Sequence, residues 1–440
     1  MEEVVEHLGE AFEKVAANRG APGPDGQSIR EVRAHLPQIL SRLGPELLAG
    51  SYTPGEIRRV WIPKPGGGQR GLGIPNVVDR MVQEAVRWVI EPLYEPTFHA
   101  SSHGFRPGRS CHTAIAEARR HTEEGYGWVV DIDLEKFFDR VHHQRLMARL
   151  AERISDRRLL VLLGRMLQAG VVLPDGVRVS NGEGVPQGGP LSPLLSNIVL
   201  DELDTELAQR GLRFVRYADD CNIYVRSARA GQRVMASISA FLQRRLRLRV
   251  NTEKSAVARP ETRHFLGFRL HPQVGLPTEV QLSERTLRRL RDRIRELTPR
   301  QAGSSLERVI LSVSGYLKSW LGYFGIAMEG KGVLYPVRAV DARVRLRLRA
   351  LVLRQWKRKR TITRRLISMG VSPKRAYKGV YEGRKSIWAL AHSGVVYKAL
   401  SNQYFADRGL FSLASGFDAI WRAIAASERQ LTLPWGHRRS

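Results

Sequence analysis

Apolar residues recur along this chain at two distinct spacings, and the change between them marks out its parts. From Val77 to Tyr94 they fall at helical intervals, with Pro92 and Pro96 closing the run, which predicts a helix. Trp128 to Asp131 is a short apolar stretch with strand character, and Leu194 to Leu207 reads as an apolar helix opened by a glycine-rich turn. Phe214 to Val225 is two β-rich half-segments flanking Asp219-Asp220, the pattern of a hairpin with carboxylates at its tip. Gly20-Ala-Pro-Gly-Pro-Asp-Gly26 and Pro63-Lys-Pro-Gly-Gly-Gly68 are loops. From Glu279 onward the alternation fades. Leu/Arg/Ala-rich helical segments follow, broken near Pro299, Gly330 and Gly370, so a domain boundary is expected near residue 275.

Length and charge narrow the partner. With 440 residues the chain exceeds a single hydrophobic core, and a formal net charge of +28 calls for a polyanion. A membrane surface is the other route to such a charge, but no run of 18 apolar residues occurs, and Met1-Glu2-Glu3 is not a basic leader. A cytoplasmic protein with no membrane partner, free to meet nucleic acid, is therefore expected. Two cysteines, Cys111 and Cys221, supply neither a disulfide framework nor a zinc site. The charge concentrates between residues 341 and 380, where 14 Lys and Arg accompany one acid, Asp341. Val344, Leu348, Leu351 and Val352 recur there with helical period, so Arg343, Arg345, Arg349, Arg354, Lys357 and Arg358 are candidate nucleic-acid contacts on a basic helix.

Carboxylates carry the candidate chemistry. Adjacent aspartates at a hairpin tip repel each other and add nothing to a core, so divalent cations give them a purpose, although Asp is also a favoured turn residue. A second site lies in Trp128-Val-Val-Asp-Ile-Asp133, where a strand exits into Leu134-Glu-Lys-Phe-Phe-Asp-Arg-Val141, read as a helix. Asp131 and Asp133 share one strand face, and periodicity leaves the choice between them open. Phosphoryl transfer by two Mg²⁺ ions needs carboxylates from separate strands, and one acid here plus the Asp219-Asp220 pair meets that need. Gly184-Val-Pro-Gln-Gly-Gly-Pro190 lets backbone approach a nucleotide, with Gln187 as donor and acceptor, and Lys64 and Arg70 sit on a loop where charge can clamp a triphosphate.

The order of seven segments is more specific than any one of them. Ile74-Pro-Asn-Val-Val-Asp-Arg-Met81, Ser102-His-Gly-Phe-Arg-Pro-Gly-Arg-Ser110, Asp133-Leu-Glu-Lys-Phe-Phe-Asp139, Pro186-Gln-Gly-Gly-Pro-Leu-Ser192, Tyr217-Ala-Asp-Asp220, Asn251-Thr-Glu-Lys-Ser255 and Phe265-Leu-Gly-Phe268 resemble the consecutive reverse-transcriptase blocks of bacterial group II intron-encoded proteins. Downstream, Ser314-Gly-Tyr-Leu-Lys-Ser-Trp320 and Leu351-Val-Leu-Arg-Gln-Trp356 resemble the family's maturase or thumb region, and Lys385 to Leu410 resembles its DNA-binding region.

The resemblance implies an α+β right-hand polymerase: N-terminal extension, fingers and palm over residues 1–275, a helical thumb or maturase domain over 276–365, and a small helical DNA-binding domain over 366–440. It implies Asp133, Asp219 and Asp220 as catalytic metal ligands for two Mg²⁺, with Mn²⁺ a possible substitute. Lys64, Arg70, Gln187 and Lys254 would contact the incoming nucleotide. Phe137, in preference to its neighbour Phe138, would be the ring that excludes a ribose 2′-hydroxyl. Many relatives carry a Cys-bearing endonuclease that finds no counterpart after Cys221, which suggests the shorter lineage associated with group IIC introns. The expected partners are structured intron RNA, a DNA primer or target, and dNTPs. A stand-alone reverse transcriptase for defence or repair, and a non-catalytic RNA-binding splicing factor, are the alternatives.

Overall fold

The structure, a computed structural model, describes residues 1–63, 67–180, 182–273, 275–299, 303–327, 331–382 and 386–432. It mixes α and β elements up to residue 282 and is helical from there on, and it divides into two compact units, Met1–Arg263 and His264–Ser440. The division falls ahead of the expected boundary at 275, because the hairpin Phe268–Gln273/Leu276–Leu282 packs with the helices that follow it. Residues 366–440 lie within that same second unit.

In the first unit, the palm sheet has the order Arg213–Tyr217, Asp220–Val225, Trp128–Ile132, Ala256–Ala258, antiparallel throughout. Trp128–Ile132 is central, which suits its near-continuous apolar run: Val129, Val130 and Ile132 are buried. A second sheet, built on the hairpin Ile57–Pro63/Gln69–Ile74, carries the finger loop. Helix Val77–Tyr94 runs over the predicted span and buries Val77, Met81, Val82, Ala85, Val86 and Ile90. Helix Ser192–Gln209 follows the glycine-rich turn. The stretch after Asp133 departs from expectation: a short 3₁₀ turn, Phe137–Asp139, stands where a helix was read, and regular helix begins only at His143. Lys136 is left-handed there (φ 48°), which breaks the helical run.

In the second unit, Arg343 to Arg349 is helical, within Lys331–Trp356, and Val344, Leu348, Leu351 and Val352 are its buried face. Asp341, the lone acid of the basic stretch, is buried and accepts hydrogen bonds from the Ser412 hydroxyl and the Leu413 and Ala414 amides, capping helix Leu413–Thr432. The expected break at Gly370 holds, with φ +86° after helix Lys359–Ser368, while that at Gly330 lies outside the described residues. Trp320 is buried and stacks on Phe324 (4.4 Å), while Tyr323 donates to the Leu266 carbonyl, so these rings are packing elements. No described helix is long and apolar enough to cross a membrane.

Candidate active site

The palm strands bring two acids to one place. Asp133 lies one residue past the end of Trp128–Ile132; its amide donates to the Ser255 hydroxyl and its carbonyl accepts from Asn251 N–H. Asp219 stands in the two-residue turn between Tyr217 and Asp220, which pair in register. Burial raises the Asp219 pKa above the ordinary carboxylate range, and the charge of Asp133 pushes it further the same way while Arg70 opposes. The two carboxylates are therefore close enough for each charge to act on the other. Asp131, equivalent by periodicity, is engaged elsewhere, accepting from Arg263 Nε at 2.8 Å. Asp220 begins the outgoing strand and is exposed.

The turn is held from beneath by a buried arginine. Arg216 is wholly buried, and its Nε donates to Asp204 Oδ1 (2.7 Å), Nη1 to Asn197 Oδ1 and the Ala218 carbonyl (both 3.0 Å), and Nη2 to the Ser102 hydroxyl (2.7 Å). Burial opposes its charge, but Asp204, also buried, holds the guanidinium pKa above its ordinary value. Ala218 adopts φ +57°, costly for a residue with a side chain, and the arginine grips its carbonyl. Gly104 closes against the same turn, where a Cβ would come within 2.3 Å of Ala218 N. The sequence pattern missed Arg216, since one arginine in an alternating strand reads as solvent-facing.

A cavity of about 700 Å³ opens beside Asp219, lined among others by Arg70, Phe105, Phe138, Gln187, Gly188 and Gly189. Arg70 projects from Gln69–Ile74 and Gln187 from the turn before Ser192–Gln209. That turn is wedged in place: Gly73 N–H donates to the Gln187 carbonyl (2.7 Å), and Gly188, at φ +129°, approaches so closely that a Cβ would meet the Gly73 oxygen at 2.5 Å. Lys14 and Asn18 of the N-terminal segment, which carried no sequence signal, and Arg80 of Val77–Tyr94, which lies in the first of the seven ordered blocks, also line the cavity. Lys254 places its ammonium 3.6 Å from Asp133 Oδ1 and does not line the cavity. Lys64 lies outside the described residues.

Phe137 and Phe138 exchange their expected places. Phe137 is 2% exposed and belongs to the hydrophobic core, whereas Phe138 lines the cavity. The 3₁₀ turn sets the two rings edge to face, 5.2 Å between centroids at 69°, with Phe137 on the core side and Phe138 on the cavity side. Val185 N–H fixes the cavity-facing residue by donating to the Phe138 carbonyl (2.6 Å). Arg349 is a second correction. It is 1% exposed, donates from Nε to the Leu400 carbonyl (2.8 Å) and stacks on Tyr397 (3.8 Å), so it joins helix Lys331–Trp356 to later helices and offers nothing to RNA. Arg343, Arg354, Lys357 and Arg358 are exposed and Arg345 half-exposed.

The donor set suits a hard cation. Among the described residues no three His, Cys, Asp or Glu side chains gather into a complete cage. Mg²⁺ binds through one or two carboxylates plus substrate phosphates and water, which is what Asp133 and Asp219 offer beside an open cavity.

Residues 62–270 match the family described as "Reverse transcriptase (RNA-dependent DNA polymerase)", and residues 287–367 match "Group II intron, maturase-specific domain". The chain is 37% identical to "Protein YkfC" of Escherichia coli K12, over 60% of this chain and 80% of that protein. It is also 37% identical to "Group II intron-encoded protein LtrA" of Lactococcus lactis, over 47% of this chain but only 34% of that protein, so it spans about a third of LtrA's length. A chain of the solved "Partial Cas6-RT-Cas1--Cas2 complex" aligns over 55% of this chain and 42% of that one, at 23% identity and a TM-score of 0.35, too distant a likeness to bear on function. With both matched regions in one chain and a relative aligned over most of its length, the protein belongs to the bacterial group II intron-encoded reverse transcriptases that carry a maturase domain.

Proposed function

We propose that this protein adds dNTPs to a DNA primer on an intron RNA template and binds the same RNA to assist its splicing, as a retrohoming element requires. The observation that carries the first half is the meeting of Asp219, Arg70, Gln187 and Phe138 around one cavity, with the charge of Asp133 acting on Asp219. Two Mg²⁺ ions held by Asp133 and Asp219, with Asp220 in support, would activate the primer 3′-hydroxyl and neutralise the triphosphate, and Mn²⁺ would substitute. Arg70 clamps phosphate, and Lys64 is the second cation assigned to the triphosphate. Lys254, beside Asp133, serves the primer end. Gln187 contacts the base or sugar. Partners are intron RNA, a DNA target and dNTPs in the bacterial cytoplasm. The direct test is extension of a DNA primer on an RNA template by purified protein, with EDTA as control. Failure with both Mg²⁺ and Mn²⁺ would refute the catalytic reading.

Phe138 takes the role of sugar gate, a ring standing where a 2′-hydroxyl would sit. Phe138→Ala is expected to admit NTPs, measured as the ratio of single-dNTP to single-NTP incorporation. Phe137→Ala should leave that ratio unchanged and instead cost about 3–5 kcal/mol of stability through a core cavity. Relaxed sugar choice in Phe137→Ala alone would return the gate to that residue.

RNA binding divides the basic helix in the same way. Joint replacement of Arg345, Arg354 and Arg358 by Ala should weaken RNA binding and flatten the dependence of log affinity on log salt, by roughly one for every phosphate that the protein no longer neutralises. Arg349→Ala should lower thermal stability without altering that slope. A slope unchanged in the triple variant would mean that these arginines face only solvent.

A further inference from the structure

The second unit contains a cavity that the polymerase does not use. It measures about 390 Å³, within the roughly 300–1,000 Å³ of small-molecule sites. Ala350 and Leu351 of helix Lys331–Trp356 line one side, and Ile387 and Trp388 of helix Ile387–Ala391 another. A broader opening shares Pro299, Arg347 and Trp388 with it and adds Arg295 and Arg343. Arg343, Arg347 and Arg354 lie four and seven residues apart, on one face of the same helix. Among the described residues no carboxylate lines either part, and the lining cations are all arginines.

Each wall suits a different part of one ligand. Arg347 is 8% exposed and held in place: it donates from Nε to the Thr298 hydroxyl, and from Nη2 to the Arg295 carbonyl (3.1 Å) and the Thr298 carbonyl. Its position is therefore preorganised, and it brings charge and a flat guanidinium face. Trp388 is half-exposed and braced edge-on against His392 (5.3 Å, 74°), so the indole is set before any ligand arrives. Ala350, Leu351 and Ile387 supply an apolar floor. Arg343 and Arg354, both exposed, stand at the rim. An aromatic plane, an apolar floor and rim cations together fit a nucleobase with its flanking phosphates. A base is available to such a pocket only when it is out of the stack, as in bulges and loops of folded RNA.

We propose that this cavity receives one unstacked nucleotide of the bound intron RNA, with the base against Trp388 and the neighbouring phosphates on Arg343 and Arg354. The maturase unit then reads a structural feature of its RNA rather than charge alone. This rests on the reading that the unit binds RNA, and the test separates the two. The full chain is titrated with two RNA hairpins of equal length, one fully paired and one carrying a single bulged 2-aminopurine. Wild-type protein should favour the bulged hairpin by about tenfold, the scale of one base–aromatic stack, with a change in 2-aminopurine fluorescence on binding. Trp388→Ala should bring the bulged hairpin down to the affinity of the paired one and leave the paired one unchanged, while Trp388→Phe restores the preference. Equal affinity for both hairpins in wild type overturns the proposal while leaving RNA binding intact. Equal weakening of both in Trp388→Ala also overturns it, and binding of neither refutes the RNA reading itself. Tight binding of AMP alone, abolished by Trp388→Ala, would give the pocket to a free nucleotide instead.

Discussion

Asp219→Asn is expected to cut DNA synthesis by roughly three orders of magnitude or more, because it removes a charged ligand from a site whose chemistry depends on clustered cations. The same substitution should not unfold the protein. Burial and the nearby Asp133 both disfavour the Asp219 carboxylate, and Asn nearly matches Asp in size while relieving that repulsion. The melting temperature of the variant should therefore equal or exceed that of the wild type without metal. Added Mg²⁺ should raise the wild-type value more than the variant's, since a ligand that binds only the folded state stabilises it by mass action. Splicing assistance uses a basic surface to which the aspartate does not belong, so the variant should still bind the intron and promote its splicing. Primer extension and splicing measured on one preparation decide the matter. A folded Asp219→Asn protein that has lost both activities would end the two-function reading, and one that still copies templates at the wild-type rate would remove Asp219 from the metal site.

Arg216→Met is expected to be among the most destabilising single changes in the first unit. It strands the Asp204 carboxylate, which has no exposure of its own, and leaves Asn197, Ser102 and the Ala218 carbonyl each without the guanidinium they share. Breaking one side of a buried pair costs about 3–5 kcal/mol, or roughly 10 °C in melting temperature for a unit of this size. The double change Arg216→Met with Asp204→Leu should recover most of that loss, because no uncompensated charge is then buried. Polymerase activity should not recover with it, since the grip on the strained Ala218 that presents Asp219 is gone. If the single variant melts within about 2 °C of wild type, the pair is not structural. If the double variant polymerises normally, the arginine does not position the turn.

The two residues illustrate how unevenly the site is written in the chain. Asp219 stands out because two adjacent acids flanked by β-rich segments repel one another at a hairpin tip, whereas Asp133 is picked out from Asp131 only by the family resemblance. Their chemistry is local to short segments, and so is the periodicity that marks Val77–Tyr94, Trp128–Ile132 and the helix carrying Arg343. The seven ordered blocks carried the family. Those features follow from backbone geometry and from the hydrophobic pattern, which any stretch of sequence displays by itself.

What neighbours decide was not legible. Phe137 and Phe138 are identical in composition and adjacent in position, and only the 3₁₀ turn after a left-handed Lys136 sends one into the core and the other to the cavity. Asp131 and Asp133 share a strand face, and Arg263, 132 residues away, removes the first from contention. Arg349 stands in the same charged alternation as Arg345, yet the carbonyl of Leu400 and the ring of Tyr397 draw it inside. Arg216 is invisible for the converse reason: its four partners come from segments as far as 114 residues away. The sequence by itself determined most of the elements, the family and the candidate acids at the hairpin tip, because those are written in short segments. Only the tertiary structure decided which of two equivalent side chains is buried, since burial belongs to the surface that another segment brings against it.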